Sequence, residues 1–141
     1  MADLLDGVAR LLADTGHGTY DPTGTTGDVF AETMPATPDA AVCLTLYDGD
    51  EAPDALNAYD TPRLQVRVRG GPDPRVSRAR AQAIYSELHG LTETTLTDGT
   101  WLILAAARGT VAPMGRDANG RHEHVTNYDL HVSAPTKHRT E

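Results

Sequence analysis

The segment that most restricts the fold is residues 63–69, in which polar and aliphatic side chains alternate strictly (RLQVRVR). Successive side chains of an extended strand point to opposite faces, so Leu64, Val66 and Val68 would share one face. The pattern therefore predicts a half-buried strand with its apolar face against a core. The other face presents three arginines in a row, and like charges at this spacing need partners: Arg63, Arg67 and Arg69.

A helix is predicted directly after this strand. The residues Gly70-Gly71-Pro72 break the strand, Asp73 can cap a helix, and Pro74 suits its first position because proline has no backbone N–H. The helix is expected to run to His89, with Gly90 ending it in a left-handed conformation. Its buried stripe is predicted to contain Val76, Ala79, Ala83, Ile84 and Leu88, while Arg75, Arg78 and Arg80 are more exposed.

Other patterns predict a second helix and several more strands. Leucines and a valine at spacings of one, three and four make residues 2–14 an amphipathic helix. The Asp98-Gly99 pair is typical of a two-residue hairpin turn. Short strands are predicted at 29–31, 41–47, 92–97 and 101–106. A long last strand places His122, His124, Thr126, Tyr128, Leu130 and Val132 on one face.

This order of elements has no regular βαβ alternation, so it predicts an α+β fold with a mainly antiparallel or mixed sheet flanked by two helices. A chain of 141 residues is expected to form a single domain, 1–141. Within it, residues 1–15 form the N-terminal helix and residues 134–141 a flexible tail. The polar segments 16–26 and 48–60 are expected to be exposed loops.

The composition favours self-association. Apolar residues make up 39% of the chain, with seven aromatics, so the core must be aliphatic and small. A subunit interface is a usual place to bury further apolar surface. The single Cys43 cannot form an internal disulfide, and the N-terminus has neither a basic leader nor a long apolar run. We therefore expect a protein made in the cytosol, without membrane insertion.

Charge is distributed unevenly along the chain. The net charge is −8, but residues 1–60 hold twelve acids and one base, Arg10, whereas residues 61–80 hold six arginines and one acid. Such a subunit can steer head-to-tail contacts with copies of itself. The expected interface pairs Arg63, Arg67, Arg69, Arg75 and Arg78 with Asp48, Asp50, Glu51 and Asp54. Replacing Arg67 and Arg69 with glutamate is expected to disrupt assembly and leave the monomer folded.

The sequence contains no recognisable catalytic or cofactor motif. Cys43 lies in an apolar run, no Gly-x-Ser-x-Gly elbow surrounds a serine, and no glycine-rich segment ends in the Gly-Lys-Ser/Thr of a phosphate loop. The acidic segment 48–60 lacks the bidentate glutamate of a calcium loop. An acidic protein with few lysines is also a poor dedicated nucleic-acid binder. The one alternative with chemistry is a small metal-dependent enzyme using His122 and His124 with His131 or Asp129.

Residues 113–128 (PMGRDANGRHEHVTNY) resemble the tail terminator family of long-tailed phages, whose members are often called minor capsid proteins. Other features agree with that family in order along the chain. They are the N-terminal helix, the strand segment 64–67 ahead of Gly70-Gly71, and the helix containing 81–88. The family-like hairpin residues are Gly115, Arg116, Asp117, Asn119, Gly120, Arg121, Asn127 and Tyr128.

The resemblance implies a structural virion protein rather than an enzyme. Members of such a family form a hexameric ring on the last ring of the tail tube, stop its growth and present a surface to the head connector. DNA would pass through the ring without sequence-specific binding, and the ring would assemble in the host cytoplasm. Another neck protein, such as a head-completion or stopper subunit, would satisfy nearly the same resemblance.

Overall fold

A computed structural model describes residues 3–47 and 52–139 of the chain. Two α-helices lie in this part, α1 (Leu4–Asp14) and α2 (Pro74–Leu88). Eight strands accompany them in the described residues. They are β1 (Val29–Ala31), β2 (Ala41–Tyr47), β3 (Tyr59–Asp60), β4 (Arg63–Arg69), β5 (Thr92–Thr95), β6 (Trp101–Ala107), β7 (Ala112–Arg116) and β8 (His122–Ser133).

The strands form one mixed sheet organised around the long strand β8. The order is β1-β2-β4-β8-β6-β5, and β3 and β7 also pair with β8. One edge of β8 pairs with β4 and then β3, whereas its other edge pairs with β7 and then β6. The β1–β2 pair is parallel and the other pairs are antiparallel. This architecture confirms the predicted α+β fold with a mixed sheet and two helices.

Both helices pack on the same face of the sheet, which we call the helix face. Helix α1 contacts β1 and β2, and α2 contacts β4, β6 and β8. The pleat places Leu64, Val66 and Val68 on this face, opposite Tyr128, Thr126 and His124 of β8. All six side chains are buried. The alternation in residues 63–69 thus sets which side of the sheet becomes the core, as the sequence predicted.

The predicted start of α2 is confirmed, but its predicted buried stripe is partly wrong. The Asp73 carboxylate accepts a hydrogen bond from the Arg75 backbone N–H, and Pro74 is the first helical residue. The buried residues of the helix are Ser77, Ala81, Ile84 and Leu88. The predicted members Val76, Ala79 and Ala83 are exposed, and the predicted exposed Arg80 is an ion-pair partner of Asp28.

Which residues of α2 face the sheet depends on a contact with β8. The Ser77 Oγ lies 2.7 Å from Nδ1 of the buried His124, so a polar residue of α2 can face the sheet. That partner is 47 residues away in the chain and cannot be read from helical periodicity. Gly90 has a φ of 89°, which confirms the left-handed end predicted for this helix.

The β5–β6 hairpin is confirmed with a longer turn than predicted. Strand β5 ends at Thr95, which pairs with Trp101, so five residues rather than two connect the strands. The Leu96 N–H bonds to the Thr100 carbonyl, and the Asp98 carboxylate accepts from the Thr100 N–H and hydroxyl. The Asp98-Gly99 pair therefore forms the tip of this turn, with Gly99 at a φ of 94°.

The C-terminal segment differs from the flexible tail predicted at 134–141. Ala134 is buried and its N–H bonds to the Ala58 carbonyl. The Arg139 guanidinium binds both carboxylate oxygens of Asp60, at 2.7 and 2.8 Å. Residues 134–139 are consequently fastened to β3 and to the residue before it, Ala58. The predicted loop at 16–26 is confirmed, with the Asp21 carboxylate accepting hydrogen bonds from Thr23 and Thr26.

Candidate functional site

The face of the sheet opposite the helices, which we call the open face, carries the arginine row predicted from the sequence. Arg63, Gln65 and Arg67 of β4 point to this face and are partly exposed. The register sets them beside the outward side chains of β8, whose members are Glu123, Val125, Asn127, Asp129 and His131. This polar surface is therefore partly accessible to other molecules.

The arginines of the open face have acidic partners within the same chain. Arg67 Nε lies 3.1 Å from Glu123 Oε1, and Arg63 Nε lies 3.5 Å from Asp129 Oδ1. A third guanidinium, that of Arg108, approaches Asp129 to 3.1 Å. The sequence pattern required partners for these charges, and cross-strand neighbours on β8 supply them. Partly exposed pairs of this kind contribute little stability, so they are able to exchange partners at an interface.

Arg69 does not belong to the exposed row, and its predicted role in the interface needs correction. It is only 5% exposed. Its Nε donates to the Asp39 carbonyl at 2.9 Å, and its Nη2 donates to the Pro35 and Pro38 carbonyls at 2.7 Å. The prediction that a glutamate here leaves the monomer folded is therefore wrong on physical grounds, since a carboxylate would face three carbonyl oxygens.

A second buried arginine completes this anchor. Arg121 donates to the Ala36 carbonyl and lies 3.3 Å from the Asp39 carboxylate. Its Nε also donates to Asp117 at 2.8 Å. Arg69 and Arg121 together hold residues 32–40 against the sheet. Burial, followed by the adjacent Arg121 charge, lowers the pKa of Arg69, although an arginine remains charged near neutral pH.

The family-like hairpin is present as the β7–β8 connection. The Asp117 carboxylate accepts from the backbone N–H groups of Asn119 and Arg121, and the Arg121 N–H is the main cause that lowers its pKa. Gly115 and Gly120 have φ values of 84° and 75°, in the region that favours glycine. These residues fix the shape of the tip, and Arg116 of β7 stays exposed beside it.

The last two residues predicted for this hairpin do not lie in it. Asn127 and Tyr128 are in the middle of β8, opposite Gln65 and Leu64 of β4. Tyr128 is fully buried on the helix face, and burial raises the pKa of its hydroxyl. Asn127 belongs to the open face. The sequence resemblance therefore spans one structural tip and part of the core, and not one continuous surface.

The structure also reveals exposed aromatics that the sequence prediction did not include in the site. Tyr59 of β3 and Trp101 of β6 both pair with Ser133 of β8, so they flank it on the open face. Tyr47 at the end of β2 lies on the same face, opposite Arg63. Each is more than a third exposed. Their exposure was not readable from the sequence because it depends on which strands pair.

The remaining predicted interface residues lie elsewhere. Arg75 and Arg78 are exposed in the first turns of α2, and Arg75 pairs with Asp73. Asp54 caps an exposed turn by accepting from the N–H groups of Leu56 and Asn57. The predicted acids Asp48, Asp50 and Glu51 lie outside the described residues. The structure therefore does not bring the arginine row and Asp54 together within one subunit.

The geometry opposes the alternative of a histidine metal site. His122 and His124 lie on the helix face of β8, whereas Asp129 and His131 lie on the open face. These side chains point to opposite sides of the sheet and cannot bind one ion. His124 is bound to Ser77, and burial lowers its pKa. Among residues 3–47 and 52–139, no group of three or more histidine, cysteine, aspartate or glutamate side chains is placed to hold a metal.

The described residues form an α+β domain with both helices on one face of the sheet, a polar open face, and buried arginines that fasten loops. The chain matches the sequence model of the family described as "Bacteriophage tail terminator protein" over residues 11–133, and it belongs to that family. It is thus a structural protein of a phage tail and a component of the virion. No curated protein gave a significant match. Within the described residues, no helix is long and apolar enough to cross a membrane.

Proposed function

We propose that this protein forms a ring, of six copies, on the last ring of the tail tube, where it stops tube growth and offers the surface to which the head connector joins. Family membership supports the tail role. The observation that carries the ring is the open face, which combines exposed aromatics with partly exposed arginine pairs. Aromatic residues and arginines are the side chains most enriched at protein interfaces.

A small core gives a physical reason for assembly. In residues 3–47 and 52–139 both helices lie on one face of the sheet, so the open face can remove further apolar area from water when another protein covers it. Each buried methylene contributes about 0.8 kcal/mol, and Tyr47, Tyr59 and Trp101 offer large areas. Contact with sister copies and with the tube therefore stabilises the folded subunit.

The charge pattern supports passage of DNA through the ring without sequence-specific binding. The chain has a net charge of −8, and the arginines of the open face already have acidic partners. Protein cations bind DNA phosphates by displacing the counterions that surround the DNA. An arginine that is already paired with a carboxylate does this poorly. DNA would consequently slide through without being held. In this proposal the ring lies at the head-proximal end of the tail and assembles in the host cytoplasm.

Electron microscopy of particles made without this protein tests the proposal. We expect overlong tail tubes that carry no heads, because tube growth would lack its stop. Expression of the wild-type protein from a plasmid is the matched control and should restore tails of uniform length. Tails of normal length beside heads that leak DNA would contradict the proposal and would assign the protein to head completion.

A further inference from the structure

Five of the six exposed large apolar side chains of the described residues lie in two groups at opposite ends of the sheet, and the sixth is Tyr47. Leu56, Tyr59 and Trp101 are 77%, 55% and 39% exposed and lie where β3 pairs with the end of β8. Val76 and Met114 are 52% and 50% exposed and lie beside the start of β8. Strand β8 has twelve residues, so it separates the two clusters by about 35 Å.

The first cluster, which we call the aromatic end, carries unpaired negative charge. Asp54 and Asp98 lie on turns at this end, where backbone N–H groups cap their carboxylates. Neither carboxylate forms a close ion pair among the described residues, and Arg139, which acts on Asp54 at longer range, is bound to Asp60. Arg139 is neutralised by Asp60, and Lys137 adds one positive charge. The aromatic end is therefore net negative.

The second cluster, which we call the arginine end, carries unpaired positive charge. Val76 and Arg78 lie in the first turns of α2, and Met114 and Arg116 lie on β7. Both elements lie beside the start of β8: β7 pairs with its first residues, and the segment ahead of α2 bonds to it from Gly70 N–H to the His122 carbonyl and from His122 N–H to the Gly71 carbonyl. Within the described part of the chain, neither Arg78 nor Arg116 forms a close ion pair, and the Arg78 charge acts at longer range on Asp73, which Arg75 already neutralises.

We infer that the aromatic end of one copy binds the arginine end of the next copy. This inference rests on the proposed ring and identifies the surfaces that form it. The two ends differ in charge sign, and each has exposed apolar side chains that the other can cover. Like ends would repel, which disfavours a two-fold symmetric pair. A contact between different surfaces repeats from copy to copy, and a fixed rotation at each step closes a ring.

Two double variants test the inference. The first, Leu56→Asp with Tyr59→Asp, disables the aromatic end, and the second, Val76→Asp with Met114→Asp, disables the arginine end. All four side chains are at least half exposed, so the fold should tolerate the changes, and thermal melting checks this. Gln82→Asp with Ala83→Asp, at exposed positions in the middle of α2, is the matched control.

Light scattering measures the mass of each protein, in solution or bound to purified tail tubes. We expect the wild type and the control to form rings and each double variant alone to remain monomeric, with self-association weakened more than about tenfold. An equal mixture of the two double variants retains one intact contact. It should form a dimer of one copy of each and stop there.

Other results would overturn the inference. Rings formed by either double variant would show that these surfaces do not join the copies. A dimer formed by the second double variant alone would show that aromatic ends bind each other. Variants that form normal rings but no longer bind tail tubes would assign the surfaces to the tube. If the wild type forms no ring even on tubes, the proposed function itself fails.

Discussion

On the helix face of β4, Leu64, Val66 and Val68 are buried against α2 and β8, whereas on the open face Arg63 and Arg67 of the same strand remain partly exposed. Burying one such aliphatic side chain contributes about 1.5–3 kcal/mol. A partly exposed ion pair like Arg67–Glu123 contributes about 0.2–1 kcal/mol. Neighbouring residues of one strand thus differ severalfold in what they add to the free energy of folding.

Because of this difference, one face of β4 serves the stability of the fold and the other face is available for contacts with other proteins. The helix face must keep its shape and its apolar character, because its side chains interlock with two helices. The open face can change its side chains at small cost to stability, so it is free to be shaped by contacts with other proteins. Arg69 is the exception, since it lies on the open face and yet is buried under residues 32–40.

The largest expected effect compares adjacent residues on the two faces. Leu64→Ala should lower the free energy of unfolding by about 2–5 kcal/mol, because it removes a fully buried side chain and leaves a cavity. Gln65→Ala on the open face should change it by less than about 0.5 kcal/mol. Urea denaturation measures both changes in the free energy of unfolding, provided that its dependence on urea concentration is the same in the variants and the wild type. Equal losses for the two variants would mean that the open face is packed as tightly as the core.

The next effect compares two arginines of the open face. Arg69→Leu should cost about 2–3 kcal/mol, because a charged donor to three carbonyls is lost, whereas Arg67→Leu should cost about 1 kcal/mol or less. Limited proteolysis provides a local readout, since Arg69→Leu should expose residues 32–40 to cleavage. If Arg67→Leu made this segment equally sensitive, the loop would not depend on the Arg69 hydrogen bonds.

Local signals were sufficient to predict much of the fold. Strand β4 was predicted with its observed bounds, because strict alternation leaves a single strand face for the core. The start of α2 followed from Asp73 and Pro74, whose effects act within one turn. The order of strands in the sheet was harder to predict from the sequence. The predicted sequence of elements favoured a mixed sheet, but the central place of β8 depends on pairings between distant segments.

The site was less predictable because its main features arise from long-range contacts. An arginine on the polar side of a strand is normally solvent-exposed, and the pattern gave Arg67 and Arg69 the same environment. Residues 35–39, about thirty positions earlier in the chain, bury one and not the other. Likewise, Tyr59 and Trp101 become neighbours only through their shared pairing with Ser133. Neither the burial of Arg69 nor the pairing of Tyr59 and Trp101 with Ser133 can be predicted from the local alternation of polar and apolar residues.

The smallest expected effect is confined to mildly acidic pH and concerns His124 on the helix face. Burial, and then the charges of Arg78 and His122, lower the pKa of this imidazole below its ordinary value near 6.5. As the pH falls, His124 therefore takes up a proton more readily in the unfolded chain than in the folded protein. Stability from the neutral imidazole is complete above the unfolded pKa and is lost as the pH falls through the lower folded pKa.

Denaturation between pH 7.5 and 5.5 tests this expectation on the wild type and two variants. The wild type should lose stability over this range, and His124→Gln should lose less, because the titrating group is gone. His138→Gln, at an exposed position in the C-terminal segment, is the control and should follow the wild type. Most carboxylates titrate at lower pH and contribute little to the difference. An identical slope for His124→Gln and the wild type would mean that the Ser77–His124 contact tolerates a charged imidazole, and that the helix face is less dry than its burial indicates.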